Sequence, residues 1–147
     1  MQLGVAVADK PDGEFHRLSD DPILSFDDPD LHVEDPFLWY DAARKKFCVI
    51  AKDDSKNGSF GITGQWGSGF YAESDDCIRF EIPSEDAVYS RKVSWKDGRH
   101  TQQGNMERPW VLFDDNGKPT HLFCASGAGS DPYSFEGRTY IVVQELT

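Results

Sequence analysis

Two stretches decide the reading of this chain: "HVEDPFLWYD" (His32–Asp41) and "NMERPWVLFD" (Asn105–Asp114). Aligning Glu34 with Glu107 pairs Pro36 with Pro109, Phe37 with Trp110, Leu38 with Val111, Tyr40 with Phe113 and Asp41 with Asp114, an offset of 73 residues. A second pair of segments, "GVAVADKPDGEF" (Gly4–Phe15) and "GFYAESDDCIRF" (Gly69–Phe80), matches at an offset of 65. The small difference between the offsets is the size of a loop insertion. The order strand, turn, phenylalanine, loop, Glu-x-Pro, strand therefore occurs twice.

A sheet-forming unit repeated at this spacing predicts propeller blades. Strands are expected at residues 4–9, 13–18, 36–41, 46–52, 67–74, 78–82, 109–114, 119–125 and 139–146. "DAARKK" and "DDNGKP" separate hairpin partners, and Asn116-Gly117 suits a turn that needs positive φ. The expected fold is all-β, a partial five-bladed β-propeller of about two to three blades, each an antiparallel four-stranded sheet. It forms a single domain over 1–147, with the end of one blade at 1–18, a blade at 19–82 and another at 83–147. Propellers close with at least about four blades, so a chain of this length is too short to close alone. A β sandwich without repeats, its Pro-aromatic strand starts coincidental, is the competing reading. The opening "LGVAVAD" alternates like an inner strand, which implies either a fragment or a first strand that pairs with another element.

Composition narrows the partners. A formal charge of −11 over 147 residues leaves no basic footprint for nucleic acid or for an anionic membrane surface. The 13 glycines and 8 prolines punctuate the chain as turns do, and long helical periodicity is scarce. Cys48, Cys77 and Cys124 form no C-x-x-C motif and are expected as buried free thiols. "MQLGVAVADK" has no basic leader region, so it does not read as a signal peptide.

The chemistry on offer is that of carboxylates. No phosphate-binding loop, zinc-protease motif or metal-spaced Cys/His set occurs, so neither a cofactor nor a metal is expected. "GITGQWGSG" (Gly61–Gly69) is glycine-rich but reads as a flexible hairpin loop. Asp35 directly precedes Pro36, whereas Glu107 lies two before Pro109. On regular strands the two would face opposite ways, and Glu34, the repeat equivalent of Glu107, is a rival to Asp35. Both could equally be ordinary strand-start turns.

"HVEDPFLWYD" and "NMERPWVLFDDNGKPTHLFCASG" resemble the third and fourth blades of the five-bladed propeller glycoside hydrolases. These comprise the arabinanases and xylosidases, the invertases and levansucrases, and the neoagarooligosaccharide hydrolases. "GVAVADKPDGEF" resembles the close of their second blade, and "EGRTYIVVQEL" the last strand of such a domain. The resemblance implies cleavage of glycosidic bonds in an oligosaccharide or polysaccharide by carboxylates. Asp35 would hold substrate and tune a neighbouring group, and Glu107 would be the general acid. The third carboxylate, a first-blade aspartate acting as base or nucleophile, has no counterpart here, so the chain alone is expected to be inactive. The D-P and E-x-P difference is itself part of the family pattern.

Arg108 departs from that pattern, because a cation beside a glutamate favours its ionised form and opposes an acid role. The neoagarooligosaccharide hydrolases, in which a histidine before such a glutamate is proposed as the acid, imply that role for His100, seven residues before Glu107. Glu34, His32, Trp66, Arg108 and Lys52 are the remaining candidates for contacting sugar. Trp66 is flanked by polar residues and glycines, while Trp39 and Trp110 sit in apolar runs and read as core. Lys52-Asp53, at a strand end, reads as a solvated charge pair that reaches the rim of the site at most. A non-catalytic carbohydrate-binding module, or one that self-assembles through open sheet edges, is the alternative.

Overall fold

The computed structural model describes residues 2–24, 26, 30–55, 61–129 and 137–146. Within them the chain is all-β, without a helix. The strands are β1 (Ala6–Val7), β2 (His16–Arg17), β3 (Val33–Asp41), β4 (Lys46–Asp53), β5 (Gly69–Ser74), β6 (Lys92–Ser94), β7 (His100–Phe113), β8 (Pro119–Ala128) and β9 (Thr139–Glu145). Every pairing is antiparallel, in three sheets ordered β1-β2, β3-β4-β5 and β6-β7-β8-β9. Four strands per sheet were expected, and only the last sheet has them.

The repeat is written into the strand register. Glu34 pairs with Lys52, Phe37 with Ile50 and Leu38 with Val49. At the same 73-residue offset Glu107 pairs with Ala125, Trp110 with Phe123 and Val111 with Leu122. Both edges are interrupted at the same place, with register shifts between Glu34 and Phe37 and between Glu107 and Trp110. Asp35 (φ 52°) and Arg108 (φ 50°) occupy the left-handed region there, which non-glycine residues seldom enter. A bulge leaves a residue out of the ladder, so Pro36 and Pro109, which lack an N–H, sit in the strands without breaking them. This is why β3 and β7 begin upstream of the prolines, at Val33 and His100, rather than at them.

The strand expected at 78–82 is reduced to one bridge between Glu73 and Glu81. Asp76 takes the backbone N–H groups of Ile78 (2.9 Å) and Arg79 (2.8 Å), donors that a ladder would otherwise use. Those bonds, with the Ser74 hydroxyl, pull the Asp76 carboxyl down to about 2. Elsewhere the turn chemistry is as expected, with Gly117 at φ 78° closing the β7–β8 hairpin.

Two cores flank β4. Val49 and Ala51 join Phe70 and Ala72 of β5 against Leu3, Ile23 and Leu24 of the N-terminal segment. Ile50, with Phe37, Trp39 and Tyr71, faces Met106, Val111, Leu122 and Val142 of the last sheet. Burial on both sides explains the unbroken apolar run of β4. The last sheet has only one face covered among the described residues, and Trp110, expected in the core, is 49% exposed. The three cysteines are buried and unpaired, and burial pushes the Cys124 thiol up to about 12.

Gly69 marks the tightest approach: a Cβ there would come within 2.0 Å of the buried Tyr89 ring. Gly69→Ala should cost about 1–3 kcal/mol by overpacking and lower the melting temperature by several degrees, read by circular dichroism.

Candidate carboxylate site

The matching bulges bring the two repeats into contact. The backbone N–H of Arg108 donates to Asp35 Oδ2 at 3.2 Å, joining positions 73 residues apart. Positive φ at both residues bends the backbone away from strict alternation, so the D-P and E-x-P carboxylates come to neighbouring places despite their different spacing to proline.

Lys52 is the centre of the cluster. It lies opposite Glu34 on β4, and its Nζ is 2.6 Å from Glu34 Oε1, 3.5 Å from Glu107 Oε1 and 3.7 Å from Asp54 Oδ1. The residue is only 1% exposed, which overturns its reading as half of a solvated pair. Burial alone would lower the ammonium's pKa. The Glu34 hydrogen bond and the charges of Glu107 and Asp54 outweigh it, and the net direction is upward from the ordinary lysine value.

Asp53 points to the other face and builds a separate cage. Its carboxylate accepts from Ser55 Oγ (2.5 Å), the N–H of Ile62 (2.8 Å), and the N–H and hydroxyl of Thr63 (3.0 Å each). A Cβ on Gly61 would come 2.5 Å from Asp53 Oδ2, so the loop can wrap this carboxylate only with glycine there. The described part of the glycine-rich segment is thus anchored rather than a loose hairpin tip. It presents Trp66 to the cluster: the indole N–H donates to Asp54 Oδ1 (3.1 Å), with Lys52 Nζ 5.1 Å and the Arg91 guanidinium 4.9 Å from its ring.

Glu107 accepts from three donors: Lys52, the Asn105 side-chain amide, and Arg108 Nη1 at 2.5 Å. Behind it a polar ladder runs along β7. Ser126 Oγ donates to the Asn105 carbonyl (2.9 Å), the Tyr140 hydroxyl to Gln103, and Gln103 Nε2 to Thr101 (2.6 Å). Where the first repeat sets Lys52 opposite its glutamate, the second sets Ala125. A cavity of about 420 Å³ opens beside that small residue, lined among others by Asn105, Glu107, Arg108, Tyr140 and Ile141.

Among the described residues, two buried side-chain polar atoms have no hydrogen-bond partner, Asn105 Oδ1 and the Tyr89 hydroxyl. Asn105 is one of the residues that line the cavity. Tyr89 stacks on Gly69, the pairing partner of Lys52. Burial raises its hydroxyl well above the usual tyrosine range, and the charges of Cys124, Asp35, Glu107 and Glu34 add to the effect. Sequence reasoning missed Asn105, Asp54, Arg91 and Tyr89. For Asn105 the signal was available, since it lies two residues from Glu107; for Tyr89 there was none.

Of the predicted residues, Glu34, Asp35, Lys52, Trp66, Glu107 and Arg108 are thus brought together. His32 meets the neighbourhood through its carbonyl, which accepts the Asp54 N–H at 2.9 Å. His100 is not brought in. Its Nδ1 is 2.9 Å from Ser94 Oγ at the exposed start of β7, and seven residues of strand amount to roughly 20 Å. Among the described residues no group of His, Cys, Asp and Glu is arranged to hold a metal ion. In comparisons with known proteins, no family model, curated sequence or solved structure matches the chain.

Lys52→Met should leave Glu34, Asp54 and Glu107 without their shared cation and destabilise the fold by about 3–5 kcal/mol in urea unfolding. The sign of the pH effect follows from the raised pKa: Lys52's contribution is complete below about 10.5 and is lost as pH climbs through the higher folded value. A pH series of unfolding curves should therefore show an alkaline loss that Lys52→Met lacks.

Proposed function

We propose that the chain is built on the plan of the five-bladed propeller glycosidases and that its carboxylate cluster is a sugar-binding site. The observation that carries the reading is the juxtaposition of the D-P aspartate, Asp35, with the E-x-P glutamate, Glu107, through two bulges of equal register. Two further features support it. The cavity beside Ala125 is lined by polar side chains, among them Asn105, Glu107, Arg108, Ser126 and Tyr140, that can bond ring hydroxyls. Trp66, its indole N–H bonded to Asp54 and its ring 5.1 Å from Lys52 Nζ and 4.9 Å from the Arg91 guanidinium, sets an aromatic group beside the carboxylates.

In a glycosidase role Glu107 would protonate the departing oxygen, with Asp35 and Glu34 as neighbouring negative charges and Lys52 fixing Glu34 in place. To act as the acid, Glu107 has to carry a proton and release one of its three donors, so that its O–H can donate to the glycosidic oxygen. The exposed Arg108 is the contact most easily released. Hydrolysis also needs a carboxylate on the opposite side of the sugar, and the resemblance places that group in a blade without counterpart among these residues. The engagement of Glu107 by Lys52, Asn105 and Arg108 favours a second reading, a module that binds sugar through ring hydroxyls without cleaving it.

Titration calorimetry with neutral oligosaccharides should detect binding, and Glu107→Gln should weaken it roughly tenfold, the loss of one charge-assisted hydrogen bond. No turnover of aryl glycosides by the chain alone is expected. Enzyme-like rates would overturn the assignment of the missing carboxylate, and absence of binding to any oligosaccharide tested would overturn the sugar site.

A further inference from the structure

The cavity beside Ala125 is one-sided in its hydrogen bonding. The Ser126 hydroxyl gives its proton to the Asn105 carbonyl (2.9 Å), and the Tyr140 hydroxyl gives its own to Gln103. Gln103 is buried and fixed in turn, its amide N–H bonded to Thr101 (2.6 Å), which also accepts the Trp95 indole N–H (2.7 Å). With their protons spent, the Ser126 and Tyr140 oxygens have lone pairs to offer a ligand. The donors of the same wall, the Asn105 amide and Arg108, already serve Glu107. Charge points the same way. Lys52 alone is shared by Glu34, Glu107 and Asp54, and Asp35 adds a fourth carboxylate at the bulge. Against these four stand Lys52, Arg108 and Arg91, so the cluster is one positive charge short.

We propose that the sugar taken by this cavity is an amino sugar, its ammonium group replacing the Arg108 guanidinium on Glu107. An ammonium carries three N–H donors and no acceptor, and so matches a wall of lone pairs beside carboxylates. A hydroxyl or an N-acetyl group at the same position brings no charge. Arg108 is suited to yield: its side chain is 69% exposed, against 14% for the Glu107 it bonds, whereas the other cation on Glu107, Lys52, is held in the interior by Glu34. Arg108 thus acts as a built-in counter-ion that holds Glu107 until a ligand cation displaces it. Ser126 and Tyr140 accept from the ligand's hydroxyls, and Ala125 and Ile141 supply apolar surface for ring C–H groups. The inference rests on the sugar-site reading above and narrows its ligand.

Amide NMR titrations with glucosamine and galactosamine, each beside its N-acetyl form and its neutral parent hexose, test it. The amines are expected to bind roughly tenfold more tightly than the uncharged sugars, with shifts centred on Ser126 and Tyr140. Arg108→Ala removes the competing cation and should tighten amine binding about threefold without tightening that of the uncharged sugars. Should Arg108→Ala fail to fold, Arg108→Gln carries the same test. Amines no tighter than the uncharged sugars, or held less tightly once Arg108 is replaced, would overturn the proposal and leave the sugar site standing. Shifts centred away from these residues, or no binding of any of these sugars, would overturn the site as well.

Discussion

A single buried ammonium organises this molecule. Lys52 comes from the central strand of one sheet, takes Glu34 as its cross-strand partner, and reaches Glu107 on β7 of the next sheet. An unpaired charge at that depth would be prohibitively costly, so the fold is viable only with the carboxylates gathered around it. The gathering of acidic residues that defines the site and the docking of one sheet on the other are therefore one requirement met twice. Breaking either leaves the other without its counter-charge.

The internal repeat supplies the scaffold, and its imperfections supply the site. Both copies carry the Glu-x-Pro bulge, with the middle residue in the left-handed region. The first copy fills the space in front of its glutamate with Lys52, while the second places Ala125 there and leaves a cavity. One copy thus furnishes a cation and the other a cavity. Neither repeat alone would make both.

The sheets are also unequal in how they are buried. The strand "KFCVIAKD" is enclosed on both faces, and its alternate residues divide cleanly between two cores, with Lys52 and Asp53 finding opposite polar surroundings at its end. Asp53 stabilises the loop that carries Trp66; Lys52 holds the carboxylates that Trp66 borders. Two adjacent charged residues thereby serve one site from two sides of a sheet.

Much of this was legible before any coordinates. Strand content, the paired repeat and the positive-φ turn at Gly117 follow from short-range rules: alternation, proline's missing N–H and glycine's freedom of φ. The meeting of Asp35 with Glu107 does not, because alternation sets them facing opposite ways until the two bulges bend the backbone. What those rules could not reach were quantities set by residues far away in the chain. Lys52-Asp53 looks solvated until the next sheet closes over it, Trp110 looks like core until it is seen half exposed at the edge of the packing, and His100 looks near Glu107 until the strand between them is extended. Local sequence decides which way a backbone bends. Whether a side chain ends in water, in a core or beside an opposite charge depends on which distant surface packs against it, and that only the tertiary structure decided.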